Sequence, residues 1–315
     1  MARIDRESQA ESEAQSAAPS GEGAGAMTND AAGAAIGTME ALASLAARAT
    51  RHETPCGDGA MVWHRWGTGS PVVLLHGGSG SWTHWLRNID ALTHAGRSVW
   101  VPDLPGFGDS ARPASASDAD DLPAPVEDGL AALLGDAACD LVGFSFGAMV
   151  AGFIAARRPL RVRHLVLVGA PALGIDPVHP ILLRGWTHLP PGPQRDAVMR
   201  ANLNALMVAR PESIDAFTLA LQAHNVARDR MKRRRLSRTP VLRETLRGVA
   251  APVSGIWGSE DALYTGRIGG LEAALRSAPR FRSLQIVESA GHWVQFEAAG
   301  AFDTALGRVL AEPLD

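Results

Sequence analysis

The stretch Asp140-Leu-Val-Gly-Phe-Ser-Phe-Gly-Ala148 places a glycine-flanked serine directly after a short apolar run. The residues before Ser145 have the pattern of a buried strand, and residues 148–157, which end just before Pro159, have the pattern of a helix. A sharp strand-to-helix turn exposes the serine hydroxyl at the helix N-terminus, where developing negative charge is stabilised. A turn serine without a chemical role is the alternative, and the strand and helix on either side favour a nucleophile.

A serine hydroxyl becomes a nucleophile only beside a base, and the base needs an acid that orients it. On a strand–serine–helix turn these partners follow along the chain in the order Ser, Asp, His, each after a later strand. Asp261 follows the apolar run that ends at Trp257, and Glu260 is the adjacent alternative. His292 follows the last apolar run. The sequence therefore predicts a catalytic triad of Ser145, Asp261 and His292.

A second glycine-rich turn, His76-Gly-Gly-Ser-Gly80, closes another apolar run. Backbone N–H groups in such a turn can point at the nucleophile and hold a developing oxyanion. We expect the N–H groups of Gly78 and Phe146 to form the oxyanion hole, and Gly77 to line the substrate site. A tight turn with a purely structural role is the alternative.

From residue 60 onward, apolar strand-like runs alternate with helix-like stretches, which is typical of a doubly wound, mostly parallel sheet. The predicted fold class is therefore α/β. The strand-like runs are 61–66, 71–75, 98–102, 140–144, 164–168, 253–257 and 284–287, and the helix-like stretches are 83–95, 125–135, 146–157, 266–277 and 299–311.

The alternation stops between residues 172 and 250, where several prolines precede three helix-like segments. A long stretch without a strand pattern, between two strands of one sheet, predicts an inserted helical cap. The predicted division is 51–171 and 251–315 for the α/β core and 172–250 for the cap, with cap helices near 194–209, 212–230 and 240–248.

The N-terminal region has a different composition from the rest of the chain. Residues 1–30 carry almost no large apolar side chains, which predicts a disordered tail, and Met27 is an alternative start. Residues 31–50 suit either a short amphipathic helix or a linker.

The composition excludes several classes of function. The chain has 315 residues, is 46% hydrophobic and carries a formal net charge of −3, so bulk electrostatics does not favour nucleic acid or a membrane surface as a partner. It contains no apolar run long enough to cross a membrane, only 2 cysteines, and no metal-ligand spacing or cofactor motif. We expect a cytoplasmic protein with a small-molecule substrate and no metal or cofactor. The sequence leaves open whether it forms a homo-oligomer.

Over roughly residues 60–312 the chain resembles the α/β-hydrolase superfamily. The resemblance implies an α/β-hydrolase fold with an inserted cap, and the activity of a serine hydrolase. It rests on His76-Gly-Gly, Asp103-x-Pro-Gly-x-Gly-x-Ser110, Gly143-x-Ser-x-Gly147, Trp257-Gly-x-x-Asp261 and Gly291-His292.

Within that superfamily, Gly291-His-Trp-Val-Gln-Phe-Glu297 is similar to the histidine segment of the meta-cleavage-product hydrolases, which cut C–C bonds in 2-hydroxy-6-oxo-dienoates. This likeness implies that Trp293 lies beside the substrate. It also implies that a cap arginine, either Arg228 or Arg230, holds the substrate carboxylate. The alternative for both arginines is a solvated helix face.

The residues around Ser145 depart from that subfamily, because Phe144 stands where those enzymes carry Asn, and Phe146-Gly-Ala148 replaces Met-Gly-Gly. The predicted function is therefore cleavage of a small to medium apolar carboxylic ester through an acyl-enzyme. Hydrolysis of C–C bonds is the first alternative, and a non-catalytic ligand-binding protein with the same fold is the second.

Overall fold

One eight-stranded sheet organises the part of the chain that the structure describes, which is residues 37–231 and 233–313 of a computed structural model. The strands are β1 (Thr50–Cys56), β2 (Gly59–Trp66), β3 (Ser70–Leu75), β4 (Arg97–Pro102), β5 (Cys139–Phe144), β6 (Val162–Val168), β7 (Val253–Gly258) and β8 (Phe281–Val287). Their order in the sheet is β1-β2-β4-β3-β5-β6-β7-β8. The β1–β2 and β2–β4 pairs are antiparallel and the other pairs are parallel, which confirms the predicted fold class.

Helices cover both faces of the sheet. The described helices are α1 (Met39–Ala47), α2 (Ile89–His94), α3 (Pro123–Leu134), α4 (Phe146–Arg157), α5 (Pro193–Leu206), α6 (Ala216–Ala227), α7 (Val241–Leu246), α8 (Leu271–Leu275), α9 (Val294–Glu297) and α10 (Ala299–Ala311). Side chains of α3, α4, α7 and α8 pack into the apolar core on one face, and those of α1, α2 and α10 pack on the other.

The central strands are apolar at most positions because both of their faces are covered, although β5 carries the buried Asp140 and β7 the buried Ser254. Val73 and Leu75 of β3 pack into one core, and Val72 and Leu74 pack into the other. Such strands read as continuous apolar runs, which is why all of the expected runs correspond to strands here.

Strand β1 was not predicted. It lies at the edge of the sheet, and only Thr54 and Cys56 of its residues are buried, so its sequence has no apolar run. Just before it, α1 occupies part of the region expected to be either a helix or a linker. The indole of Trp66 donates a hydrogen bond of 2.9 Å to the carbonyl of Leu45, which fixes this helix on the core. The tail expected at 1–30 lies outside the described residues.

No strand occurs between β6 and β7 in the residues described there, 169–231 and 233–252. Helices α5 and α6 form in the segment predicted as a cap, close to their expected bounds. Helix α7 also lies in that segment, but it packs on the sheet domain: Leu242 fills the space beside Gly152 of α4, where a Cβ would lie 2.4 Å from Leu242 Cδ1.

A buried histidine on β2 makes folding stability depend on pH. The ring of His64 packs against the rings of Trp66 and Trp82, at centroid distances of 5.9 and 5.2 Å, and these two indoles also contact each other. Burial lowers the pKa of His64 to about 4, whereas the pKa of a histidine in an unfolded chain is about 6.5. The unfolded chain therefore binds the proton more readily, and the free energy of unfolding falls as the pH drops from 6.5 towards 4.

We predict that His64→Gln loses less stability than the parent between about pH 7.5 and about pH 5. By linkage, the missing titration is worth about 2 kcal/mol at pH 5. Urea denaturation of both proteins at both pH values measures the difference, and the comparison cancels the opposite contribution of Asp303, whose pKa is raised to about 6 by burial. Equal losses in the two proteins would contradict the prediction.

Candidate active site

The turn between β5 and α4 forces Ser145 into a left-handed backbone conformation, with φ at +51°. Its two flanking glycines are required by close backbone contacts. A Cβ at Gly143 would lie 2.5 Å from the carbonyl oxygen of Gly147. A Cβ at Gly147 would lie 2.5 Å and 2.4 Å from the carbonyl oxygens of Leu75 and His76. The first turn of α4 therefore packs directly on the end of β3, and Ser145 stands at the tip of the turn.

The three predicted triad residues lie in one hydrogen-bonded chain. Ser145 Oγ is 2.9 Å from His292 Nε2, and His292 Nδ1 is 2.9 Å from Asp261 Oδ2. Asp261 is fully buried, and an ionised carboxylate only accepts hydrogen bonds, so the proton of the neutral ring belongs on Nδ1. This tautomer leaves Nε2 free to accept the proton of the Ser145 hydroxyl. Glu260, the alternative acid, is exposed to solvent.

The backbone after β7 holds Asp261, and the backbone after β6 leaves space for the ring of His292. Asp261 also accepts a 2.9 Å hydrogen bond from the N–H of Leu263, which holds its carboxylate in place. Gly169, just after β6, has φ at +51°, and a Cβ there would lie 3.1 Å from His292 Nδ1. The imidazole therefore fits between the ends of adjacent parallel strands, where active sites of open α/β sheets are usually found.

Two buried histidines, His76 and His84, hold the loop after β3, and the sequence alone predicted this role for neither of them. His84 Nδ1 accepts the N–H of Gly77 at 3.2 Å, and His76 Nδ1 lies 2.8 Å from the carbonyl oxygen of Gly77. Because His76 Nε2 accepts the N–H of Leu104 at 2.9 Å, its proton is on Nδ1 and is donated to Gly77. Burial lowers the pKa of both histidines, which keeps them neutral and able to accept these bonds.

This loop lies against the nucleophile. A Cβ on Gly77 would be only 3.2 Å from the Cβ of Ser145. Gly78 and Phe146, whose N–H groups were expected to form the oxyanion hole, both line the cavity in front of Ser145. Phe146 is the first residue of α4, where a backbone N–H has no acceptor within the helix. Gly77, which was expected to line the substrate site, does not do so: it is buried, and its N–H is bonded to His84.

A cavity of about 800 Å³ opens above Ser145 and His292. Its volume is in the range of small-molecule sites. The walls are mostly apolar and come from the proline-rich segment after β6, from the end of α5 and from the loop after β7. Leu182 lines the cavity and is nonetheless 79% exposed, so the apolar wall continues to the protein surface.

Trp293 does not lie beside the cavity, contrary to the expectation. Its side chain is fully buried and stacks on Phe296 at a centroid distance of 4.0 Å. Its indole N–H donates a 3.2 Å hydrogen bond to the carbonyl of His84. Trp293 therefore packs against the loop after β3 on the side away from the cavity. It points in this direction because the chain turns into α9 directly after His292.

Arg228 and Arg230 do not reach the cavity either. Arg228 is bonded to Asp109 and His224, and Arg230 donates hydrogen bonds to backbone carbonyl oxygens of the loop after β4. Helix α6 ends at Ala227, so both arginines lie in irregular chain, where side-chain directions do not follow a helical period.

The arginines that line the cavity are Arg238 and, beside the loop after β3, Arg234. Arg234 Nε lies 2.9 Å from the position that a Cβ on Gly78 would occupy, so the guanidinium lies directly against the loop after β3. The guanidinium forms an ion pair with Asp229. Arg234 belongs to the same basic run as Arg228 and Arg230, but the sequence carried no signal that distinguished it.

Glu297 is a further site residue that we did not single out. Its buried carboxylate accepts the N–H of Gly291 at 2.7 Å, and also the N–H groups of Ala209 and Arg210 at 3.0 and 2.7 Å. The segment that carries His292 is thereby bonded to the chain that leaves α5.

The described residues contain no group of three or more His, Cys, Asp or Glu side chains that could hold a metal ion. Of the helices described, none combines the length and the apolar character that crossing a membrane requires.

Comparison with known proteins gives matches across most of the chain. Residues 70–185 match the family model described as the alpha/beta hydrolase fold. The chain is 33% identical over 250 residues to the dihydrolipoyllysine-residue acetyltransferase component of the acetoin cleaving system of Pseudomonas putida, which covers 73% of this chain and 60% of that longer protein. It is 28% identical over 268 residues to the 2-hydroxy-6-oxononadienedioate/2-hydroxy-6-oxononatrienedioate hydrolase of Escherichia coli K12, covering 77% of this chain and 87% of that protein.

Solved structures share the fold. The carboxylesterase CesB of Bacillus subtilis superposes with a TM-score of 0.70 at 19% identity, over 86% of this chain and 95% of that one. A meta-cleavage product hydrolase from Pseudomonas fluorescens IP01 superposes with a TM-score of 0.64 at 22% identity, over 82% and 97% of the two chains.

We predict that Gly147→Ala destabilises the protein by about 1–3 kcal/mol, because the added methyl group meets backbone oxygens that cannot move aside. Gly307→Ala is the matched control, since its Cβ would enter open space in α10. Removing a helical glycine there should stabilise by about 0.5–1 kcal/mol. Chemical denaturation measures both changes, and a neutral Gly147→Ala would contradict the close packing described for this turn.

Proposed function

Because the chain is a hydrolase of the α/β-hydrolase superfamily, we propose that it cleaves small to medium apolar carboxylic esters through an acyl-enzyme intermediate. The observation that carries this proposal is the hydrogen-bonded chain from Ser145 through His292 to Asp261 at the base of the cavity. A nucleophile, a base and an orienting carboxylate in this geometry are what acyl transfer requires.

In the proposed reaction, Ser145 Oγ attacks the carbonyl carbon of the ester while His292 Nε2 takes the hydroxyl proton. The buried carboxylate of Asp261 stabilises the imidazolium that forms. The carbonyl oxygen becomes an oxyanion, which accepts hydrogen bonds from the N–H groups of Gly78 and Phe146. When the intermediate collapses, the C–O bond breaks and the leaving alcohol receives the proton from His292. A water molecule then repeats the sequence and releases the carboxylic acid and free Ser145.

The lining of the cavity supports an uncharged substrate. The wall opposite Ser145 is apolar, with Ile175 and Leu182 on one segment and Leu206 on another. The guanidinium of Arg234 is already paired with the carboxylate of Asp229, so this pair adds no net charge beside the nucleophile. The other charged side chains of the lining, Asp176 and Arg238, are opposite in sign and exposed to solvent.

Hydrolysis of a C–C bond in a 2-hydroxy-6-oxo-dienoate is the second candidate. It is favoured by the Escherichia coli relative, whose name gives it substrates of that class, and by Arg234, whose Nε has no hydrogen-bond partner among the described residues. Against it, Trp293 packs away from the cavity, and Phe144 occupies the position before the nucleophile.

A substrate panel separates the two candidates. We expect kcat/KM for p-nitrophenyl butyrate to exceed that for a 2-hydroxy-6-oxo-dienoate by at least about a hundredfold, because burying the dienoate carboxylate requires an unpaired cation. Ser145→Ala, measured beside the parent, reports contaminating esterase and should retain less than about a thousandth of kcat. Dienoate turnover above ester turnover would replace the proposal with its alternative. Ester hydrolysis that survives in Ser145→Ala would contradict both.

The identity of the acid is tested separately. Asp261→Asn should lower kcat by about 10³–10⁴-fold, because the amide favours the wrong imidazole tautomer and removes the charge that faces the imidazolium. Glu260→Gln is the matched control on the adjacent residue, and it should stay within about threefold of the parent, since its side chain is solvated. A large loss of kcat in Glu260→Gln together with a small loss in Asp261→Asn would show that Glu260, and not Asp261, is the acid that orients His292.

A further inference from the structure

Ser79, directly after Gly78 in the loop after β3, has a strained backbone. Its φ is +50°, in the left-handed region that disfavours residues with a Cβ, and it lines the cavity beside Ser145. Such a conformation persists only where the surrounding structure holds it. Fixing the φ and ψ of residue 79 fixes the path of the chain directly after Gly78, and so limits the positions that Gly78 and its N–H can take.

The group that holds Ser79 comes from the segment after α6. Ser79 Oγ donates a 2.7 Å hydrogen bond to Asp229 Oδ2, and the side chain of Asp229 is only 9% exposed. Asp229 Oδ2 also accepts a hydrogen bond from the guanidinium of Arg234. The other carboxylate oxygen, Asp229 Oδ1, accepts a 3.0 Å hydrogen bond from the N–H of Met231. A hydrogen bond to an ionised acceptor is stronger than one between neutral groups, so Asp229 is a suitable anchor for a strained residue.

A second connection fixes the same segment to the same loop. Asn225, near the end of α6, is buried, and its Oδ1 accepts the hydroxyl of Ser81 at 2.8 Å. Its amide N–H₂ donates to Thr83 Oγ1 at 3.0 Å. The end of α6 is thereby positioned so that Asp229 meets Ser79 in one geometry.

We propose that Asp229 is a positioning residue, which holds Ser79 in its left-handed conformation and so keeps Gly78, with its N–H, in position to bind the oxyanion. The inference rests on the proposed function, because that function assigns Gly78 to the oxyanion hole. Arg234 completes the arrangement. Its guanidinium neutralises Asp229 and lies against Gly78, where it prevents the loop from moving outward.

The consequence is that Asp229 contributes to transition-state stabilisation without touching the substrate. Misplacing a catalytic donor by about 1 Å can cost about a hundredfold in rate. A loss of the Asp229 contact should therefore lower kcat and leave KM nearly unchanged, because the donor acts mainly on charge that develops in the transition state.

The test compares Asp229→Ala with Asp215→Ala in ester hydrolysis. Asp215 caps the N-terminus of α6 through a 2.7 Å hydrogen bond from the N–H of Thr218, so its loss weakens the same helix without touching the loop after β3. We expect Asp229→Ala to lower kcat by about 10–100-fold with KM within about threefold, and Asp215→Ala to change kcat by less than about threefold. Affinity for a trifluoromethyl ketone, which forms an oxyanion on Ser145, should fall in Asp229→Ala by the same factor as kcat.

Rescue tests whether the effect passes through residue 79. Glycine adopts the left-handed conformation without a steric cost, so Ser79→Gly combined with Asp229→Ala should recover at least about fivefold of the lost kcat. A double variant no faster than Asp229→Ala would overturn the inference, and so would equal losses in Asp229→Ala and Asp215→Ala. If the parent hydrolyses no ester, the proposed function fails and the inference falls with it. An active parent with an unaffected Asp229→Ala overturns the inference alone.

Discussion

The contact between the first turn of α4 and the end of β3 determines the geometry of the whole site. Gly147 lies so close to the carbonyl oxygens of Leu75 and His76 that no side chain fits between them. This approach places the loop after β3 against Ser145 and exposes the serine at the tip of its turn. The positions of the nucleophile and of the proposed oxyanion donors are therefore one consequence of strand–helix packing, set before any substrate binds.

The segment between β6 and β7 takes part in the site as well as covering it. Asp229 and Asn225 bond the loop that follows β3, and Glu297 bonds the segment carrying His292 to the chain that leaves α5. These bonds involve buried or nearly buried side chains, where a lost partner leaves an unsatisfied polar group. We therefore expect the segment between β6 and β7 to move together with the loops around the nucleophile.

Much of this arrangement could be predicted from the sequence, for physical reasons. Strands covered on both faces are continuous apolar runs, and the turn at Ser145 carries its glycines in the sequence itself. Asp261 and His292 could be located because strand ends in an open parallel sheet meet at one edge. The edge strand β1 could not be predicted in this way, because half-exposed polar strands leave no apolar run.

The predictions that were wrong concern the directions of side chains outside regular helices and strands. Arg228, Arg230 and Arg234 belong to one basic run, and only the path of the backbone after α6 decides that Arg234 alone of the three lines the cavity. Trp293 follows His292 directly, yet the turn into α9 directs it away from the cavity and onto Phe296. No periodicity in the sequence encodes these directions.

The central claim is that Ser145 is an activated nucleophile at the base of the cavity. Reaction of the intact protein with a fluorophosphonate, followed by digestion and mass spectrometry, tests it most directly, because the reagent modifies serines that a neighbouring base has activated. We predict one adduct, on the peptide that contains Ser145, and no adduct when His292 is replaced by alanine. An unmodified protein, or an adduct on another serine, would contradict it.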